Sequence, residues 1–254
     1  MVTSDMNLRR DFKDREDLLT YLREQFPHAE GGVSSFVGGR AAAEEHLQKF
    51  DAARYAATRN FLDGTVSRLS PYIRHGVVTL REVLARFGER RHYKFVQELA
   101  WRDYWQRIYQ EIGKGVWEDR EPSKTGVTYS TDLPINWGRT GLSCMDGFVE
   151  ELETTGYLHN HARMWLAAYL VHWRRVGWQT GARWFLRHLV DGDPASNNLS
   201  WQWVASTFSG KPYFFNRENL ERYTAGQYCA NCSRRQDCPF DKSYADLAEE
   251  LFVL

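Results

Sequence analysis

The 254-residue chain is 43% hydrophobic and 15% aromatic, and its 33 Lys and Arg balance its 33 Asp and Glu to a net charge of zero. That size suffices for one large core or two lobes sharing a cleft, and the balance excludes a chain that binds nucleic acid by bulk charge while leaving room for a local basic face. No run of about 18 apolar residues is present, which excludes a membrane-spanning helix, and the N-terminal MVTSDMNLRRDFKDREDLL lacks the apolar stretch of a secretory signal, so the expected compartment is the cytoplasm.

In chain order, residues 1–38 read as a short helix and a glycine-rich linker, AEGGVSSFVGG. AAAEEHLQKFDAARYAATRNFL then carries apolar residues at three- and four-residue spacing and reads as one helix. TLREVLARFG starts at an N-cap, Thr79, with Glu82 three residues on, and stops at Gly88. YKFVQELAWRDYWQRIYQEIG is a long amphipathic helix ending at Gly113. MDGFVEELETTG, YLHNHARMWLAAYLVHWRRVG and TGARWFLRHLVDG add three more, and the stretches 115–141 and 210–226 read as irregular. No alternating strand pattern exceeds four residues, so the expected fold class is all-α. All ten tryptophans fall between Trp101 and Trp203, several beside polar residues. In LVDGDPASNNLSWQWVAST two Asp and two Asn crowd two Trp, and buried groups of that kind cost a few kcal/mol unless something bonds them. The four cysteines, Cys144, Cys229, Cys232 and Cys238, include C-x2-C-x5-C followed by Pro239. In a reducing compartment that spacing points to a metal or cluster site rather than disulfides.

Four motifs occurring in order, DGTVSRLSPYIRHG, ELAWRDYW, TGYLHNHARM and DGDPASNNLSWQW, resemble the FAD-binding helical domain of the photolyase/cryptochrome family over roughly residues 38–215. The resemblance implies an all-α FAD-binding domain with a deep central cavity at 39–226. A cysteine-containing segment, 227–254, packs on it, and the helix and linker of 1–38 precede it. Only about 38 residues stand where family members carry an antenna domain, so no antenna chromophore is expected.

The same resemblance implies the site. Tyr55, Thr65, Ser67, Leu69 and Ser70 would hold the FAD phosphates. Arg102, Asn160, Arg163, Asp191, Asp193 and Asn197 would contact the flavin and ribose, with Arg163 and Asp191 paired over the ring and Asn197 facing its N5. Trp201 and Trp178 would be the first two members of an electron-transfer chain whose third member is not assigned, Trp137 being one candidate. Glu98, Trp101, Asn160, Met164 and Trp203 match the residues that face a cyclobutane pyrimidine dimer, and His159 beside them is of the type used on (6-4) lesions. Flat tryptophans suit flipped bases. Glu98 with Trp101, and Asn160 with Met164, share helical faces. Arg90, Arg91, Lys94, Lys211 and Arg217 are candidate phosphate contacts, salt-sensitive in kind. YCANCSRRQDCPF with TGLSCMD resembles the iron–sulfur bacterial branch of the family, which implies a [4Fe–4S] cluster on Cys144, Cys229, Cys232 and Cys238. Zinc or free thiols remain open as alternatives. The expected activity is light-driven repair of pyrimidine dimers in UV-damaged DNA, single- or double-stranded, by a monomer away from membranes. A flavin blue-light receptor without repair is the alternative.

Overall fold

A computed structural model describes residues 8–29, 31–134 and 136–252. The opening of the N-terminal stretch, residues 1–7, lies outside them. Among the described residues the chain is helical, and the one trace of pairing is an isolated parallel bridge between Ser130 and Val176. No described helix is long and apolar enough to cross a membrane.

Helix α1, Arg15–Gln25, is capped by Asp14, whose side chain accepts from the Asp17 N–H. The linker after it is tied down at Ser34–Phe36. Arg15 donates to the carbonyls of Ser35 (3.0 Å) and Phe36 (3.2 Å), and the Ser34 hydroxyl donates to the Thr155 carbonyl. The helix expected across residues 41–62 is two, α2 (Arg40–Lys49) and α3 (Ala52–Thr58). Asp51 breaks it, because its side chain accepts from the Ala53 and Arg54 N–H groups and starts a new helix there. Phe50, at the break, packs on Phe87 and Phe95 with centroids at 5.3 and 4.7 Å.

Helices α4 (Ser70–Arg74) and α5 (Leu80–Phe87) complete this first core with Ala43, Leu69, Tyr72 and Val83. The Thr79–Glu82 capping box forms as expected. Helix α6, Tyr93–Ile112, is the twenty-residue helix foreseen in the sequence. It packs on α3 and α5 at one end and on α10 (Pro194–Ala205) at the other, so it spans both cores.

The second core is built by α7 (Ser143–Thr155), α8 (Asn160–Ala168), α9 (Trp178–His188) and α10 (Pro194–Ala205). Phe148, Leu152, Trp165 and Leu170 are fully buried there, each stabilising by about 1.5–3 kcal/mol. The long helix expected at 157–177 starts only at Asn160, and its end widens into a π-helical turn, Tyr169–Trp173. Arg175, with φ of 54°, then turns the chain. Gly181 brings α9 and α10 together: a Cβ there would lie 2.3 Å from Cη2 of Trp201. The stretch expected to be irregular at 210–226 contains α11, Arg217–Tyr223, capped by Asn216. Helix α12, Tyr244–Leu251, closes a small third cluster with Phe252.

Candidate functional site: a polar seam between three helices

The turn before α10 holds two of the predicted flavin residues, Asp191 and Asp193, and Arg163 reaches it from α8. Arg163, on α8, donates from Nη2 to Asp191 Oδ2 at 2.9 Å and from Nε to the Leu158 carbonyl at 2.7 Å. Its guanidinium also lies over the Tyr157 ring at 5.3 Å, as does that of Arg68 at 5.5 Å. Asp191 is buried, and its second oxygen, Oδ1, has no hydrogen-bond partner. A buried carboxylate oxygen without a donor is costly, and a ligand bearing an N–H or O–H satisfies it.

Two bonds pull the SRLS segment onto this turn. Arg74 Nε donates to the Gly192 carbonyl at 2.6 Å, and His75 Nε2 lies 2.8 Å from the Val190 carbonyl. Within SRLS the Ser67 hydroxyl accepts from the Leu69 N–H (3.3 Å), and Arg68 takes a φ of 51°. Leu69 is buried in the first core, so its side chain is spent on packing. Thr65 donates its N–H to the Thr58 hydroxyl. Tyr55 sits among Phe50, Phe95 and Arg59, and burial pushes its pKa up to about 12.

Asp193 caps α10. Its Oδ2 accepts from the Ser196 hydroxyl (2.7 Å), the Ser196 N–H (3.2 Å) and Gln106 Nε2 (2.7 Å). Burial alone would raise its pKa, but these bonds and the Arg102 charge outweigh it and hold the carboxyl below its ordinary value. Asn197 spends its Nδ2 on the Ala182 carbonyl (3.1 Å) and Asn198 Oδ1 (3.0 Å), leaving its Oδ1 as the free acceptor.

The lesion-facing set is divided between faces. Trp101 and Trp203 are 46% and 41% exposed, unusual for tryptophan and suited to stacking. Trp101 lies against Trp105 (5.2 Å, 28°), and Trp203 against Tyr213 (5.3 Å, 30°). Glu98 Oε1 is paired with Arg59 and with Lys94 Nζ at 2.9 Å. Asn160 Nδ2 reaches Met164 Sδ at 3.7 Å. His159 accepts on Nδ1 from the His161 N–H (3.1 Å), and its buried Nε2 has no partner. Burial, with His161 and nearby arginines, lowers its pKa to about 4, so the ring is neutral near pH 7.

Two of the basic candidates are committed elsewhere. Lys94 serves Glu98 and Gln97, and Arg217 pairs with Asp241 at 2.6 Å. Arg90 and Lys211 are exposed, and Arg91 pairs with Glu89 at 2.9 Å. Arg59 and Gln106 were missed by sequence reasoning. Gln106 stands on the register of Glu98 and Arg102 at steps of four, a signal that was available. Arg59 had none, its partner being 39 residues away.

All four cysteines line one small cavity with Leu142, Phe240, Arg217 and Arg235. Cys144 comes from α7, and the other three from the turns after α11. No three His, Cys, Asp or Glu among the described residues are placed to hold a metal ion, so the single-ion geometry of a zinc site is not formed. Burial raises Cys229 to about 11 and raises Cys144 and Cys238 as well. For Cys232 burial is outweighed by hydrogen bonds from Ser143 and Arg234 and by the Arg234 charge, and its pKa falls.

The fold and this seam are those of a helical flavin-holding domain. The family described as the FAD binding domain of DNA photolyase matches residues 95–230. The deoxyribodipyrimidine photo-lyase of Streptomyces griseus is 38% identical over 146 residues, 56% of this chain and 32% of that protein. A Synechocystis sp. PCC6803 cryptochrome structure is 25% identical, with a TM-score of 0.69 over 79% of this chain and 47% of that one. An archaeal photolyase from Sulfolobus tokodaii, solved with two FAD molecules, is 27% identical, with a TM-score of 0.67 over 92% and 53%. The chain belongs to the photolyase FAD-binding family. It spans under half the length of the curated relatives it matches.

Proposed function

We propose that the chain binds FAD in this seam and repairs cyclobutane pyrimidine dimers in UV-damaged DNA by light-driven electron transfer. The carrying observation is the pair of exposed tryptophans, Trp101 and Trp203, on two packed helices whose shared polar seam ends in the orphaned Asp191 oxygen. The residues fit the cofactor: an acceptor awaits a donor at Asp191, and an amide oxygen is free at Asn197. Bound and reduced, FAD supplies an excitable electron donor.

The chain's own groups do the rest. Trp101 and Trp203 stack the extruded bases. Glu98, fixed by Arg59 and Lys94, accepts from a pyrimidine ring N–H on its remaining oxygen, while Asn160 and Met164 close the opposite side. The Arg163–Asp191 pair holds the flavin edge, and Ser67 and Ser70 take the phosphates. The neutral His159 accepts on Nδ1 and keeps its one proton on Nε2, a far weaker acid than an imidazolium near pH 7, which favours a cyclobutane lesion over a (6-4) product. Extrusion is cheapest from single strands, so single-stranded DNA is the better substrate for a chain of zero net charge.

For the cysteines we propose a [4Fe–4S] cluster rather than zinc. Four thiols share one cavity with two arginines that offset the charge of a thiolate-ligated cluster. A second reading, a flavin photoreceptor, draws on the likeness to the Synechocystis cryptochrome. Glu98→Ala separates the two. Repair predicts an FAD-loaded variant that photoreduces normally and has lost most dimer cleavage. Wild-type photoreduction with no cleavage to lose establishes the receptor.

A further inference from the structure

We propose that Trp117 is the solvent-side end of an electron relay running from Trp201 through Trp178, a role that rests on the flavoprotein reading above. Trp178 opens α9 and is buried. Its ring lies parallel to that of Trp117, with centroids at 6.4 Å and an interplanar angle of 8°, an offset stack. Trp117 ends the 3-10 turn Gly113–Trp117 and is half-buried. The buried Trp201 touches α9 at Gly181, three residues and about 4.5 Å along the axis from Trp178. The three indoles thus run from a buried helix face toward solvent.

One side chain fixes this order. Gln202, the neighbour of Trp201, is fully buried. It donates from Nε2 to the Val116 carbonyl (3.1 Å) and accepts on Oε1 from the Arg120 N–H (3.0 Å). The segment carrying Trp117 is therefore clamped at both ends onto α10. Asp119, inside the clamp, accepts from Trp178 Nε1 at 2.7 Å. It orients that indole, and its negative charge stabilises a positive charge passing through it. Arg183 lies 4.8 Å from the Trp117 centroid and opposes charge there, but it is exposed and screened. Trp137, the candidate from sequence, pairs instead with Tyr169 and Trp184.

One electron leaves Trp201 for the light-excited flavin. One then moves from Trp178 to Trp201 and one from Trp117 to Trp178, leaving Trp117 a radical cation. A soluble dithiol returns that electron and releases a proton to solvent. Two such turns take the dithiol to its disulfide, so the two electrons and two protons it loses match a two-electron reduction of the flavin.

The test compares wild type, Trp117→Phe, Trp117→Tyr, Asp119→Asn and Trp137→Phe, all FAD-loaded, illuminated with dithiothreitol. Near-UV circular dichroism of the flavin-free proteins reads the Trp117–Trp178 stack independently. Expected are loss of the paired-indole signal and of light-driven flavin reduction in Trp117→Phe, partial rescue of reduction in Trp117→Tyr, slower reduction in Asp119→Asn, and no change in Trp137→Phe. Wild-type reduction in Trp117→Phe overturns the proposal. So does equal failure of folded Phe and Tyr variants, which marks a structural role, or loss confined to Trp137→Phe. Dark-reduced wild-type protein bypasses the relay, so failure of dimer repair there counts against the proposed function and leaves the relay standing.

Discussion

Gly181→Ala puts a methyl group where α9 and α10 come closest. In an ordinary helix the change gains about 1 kcal/mol of propensity. Here the new Cβ would stand 2.3 and 2.4 Å from Cη2 and Cζ3 of Trp201 and 2.8 Å from Leu170 Cδ2, about 1 Å inside ordinary contact. The Trp201 ring is buried and braced edge-on by Phe185 at 4.9 Å, so it has no free rotamer to retreat into. Overpacking of this kind costs about 1–3 kcal/mol. Contacts this short put the cost in the upper part of that range, about 2–3 kcal/mol, so after a propensity gain of about 1 kcal/mol the net loss is about 1–2 kcal/mol. In a domain of this size that is a fall in melting temperature of about 2–8 °C. The clash is with the outer ring of the indole, which phenylalanine lacks, so Trp201→Phe should absorb most of the penalty of Gly181→Ala in a double-mutant cycle. Thermal unfolding followed by far-UV circular dichroism reads all four proteins. A Gly181→Ala protein as stable as wild type, or strict additivity with Trp201→Phe, refutes the reasoning.

Asp191→Ala leaves Arg163 without its acid partner in a buried seam. It should cost about 3 kcal/mol and yield protein that purifies without flavin colour, read by denaturation and absorbance. His172 is fully buried, and burial lowers its pKa to about 4. The unfolded ring takes up its proton near pH 6.5 and the folded one only near 4, so stability is full above the upper value and falls as pH drops through the window, by up to about 3 kcal/mol. Urea midpoints at about pH 7 and about pH 5 read that slope, and His172→Gln should reduce it, leaving the share of His159, which burial also lowers to about 4. Cys144→Ser should remove the brown absorbance of a cluster while keeping the flavin band, and a variant with unchanged absorbance counts against the cluster.

Long elements were legible because their ends and faces are written locally. Helix α6 carries its own terminator at Gly113, and α5 its capping box, Thr79 with Glu82. The split between α2 and α3 was written too, but in a single polar cap, Asp51, inside an otherwise continuous apolar period. Helices α11 and α12, of seven and eight residues, are too short for periodicity to stand out. In the site, Arg163 pairs with Asp191, while Asp193 bonds Gln106 and Ser196 and Asn197 bonds the Ala182 carbonyl. What the sequence hid are partnerships across long separations: Arg59 with Glu98, Gln106 with Asp193, and Trp117 with Trp178. These depend on how helices cross, which no local pattern encodes. The same holds for Arg217, whose partner Asp241 lies 24 residues on, whereas the pairing of Lys94 with Glu98 is an i,i+4 pattern on α6 that the sequence carries.

The most direct test of the account is a count of pyrimidine dimers. Anaerobically reduced, FAD-loaded protein is mixed with a UV-damaged oligonucleotide, single- and double-stranded, and the dimers remaining are measured after blue light and after darkness. The account predicts loss of cyclobutane dimers only in the light, faster on the single strand, with intact thymines recovered. A protein that holds FAD and photoreduces, yet leaves every dimer in place on both substrates, contradicts it.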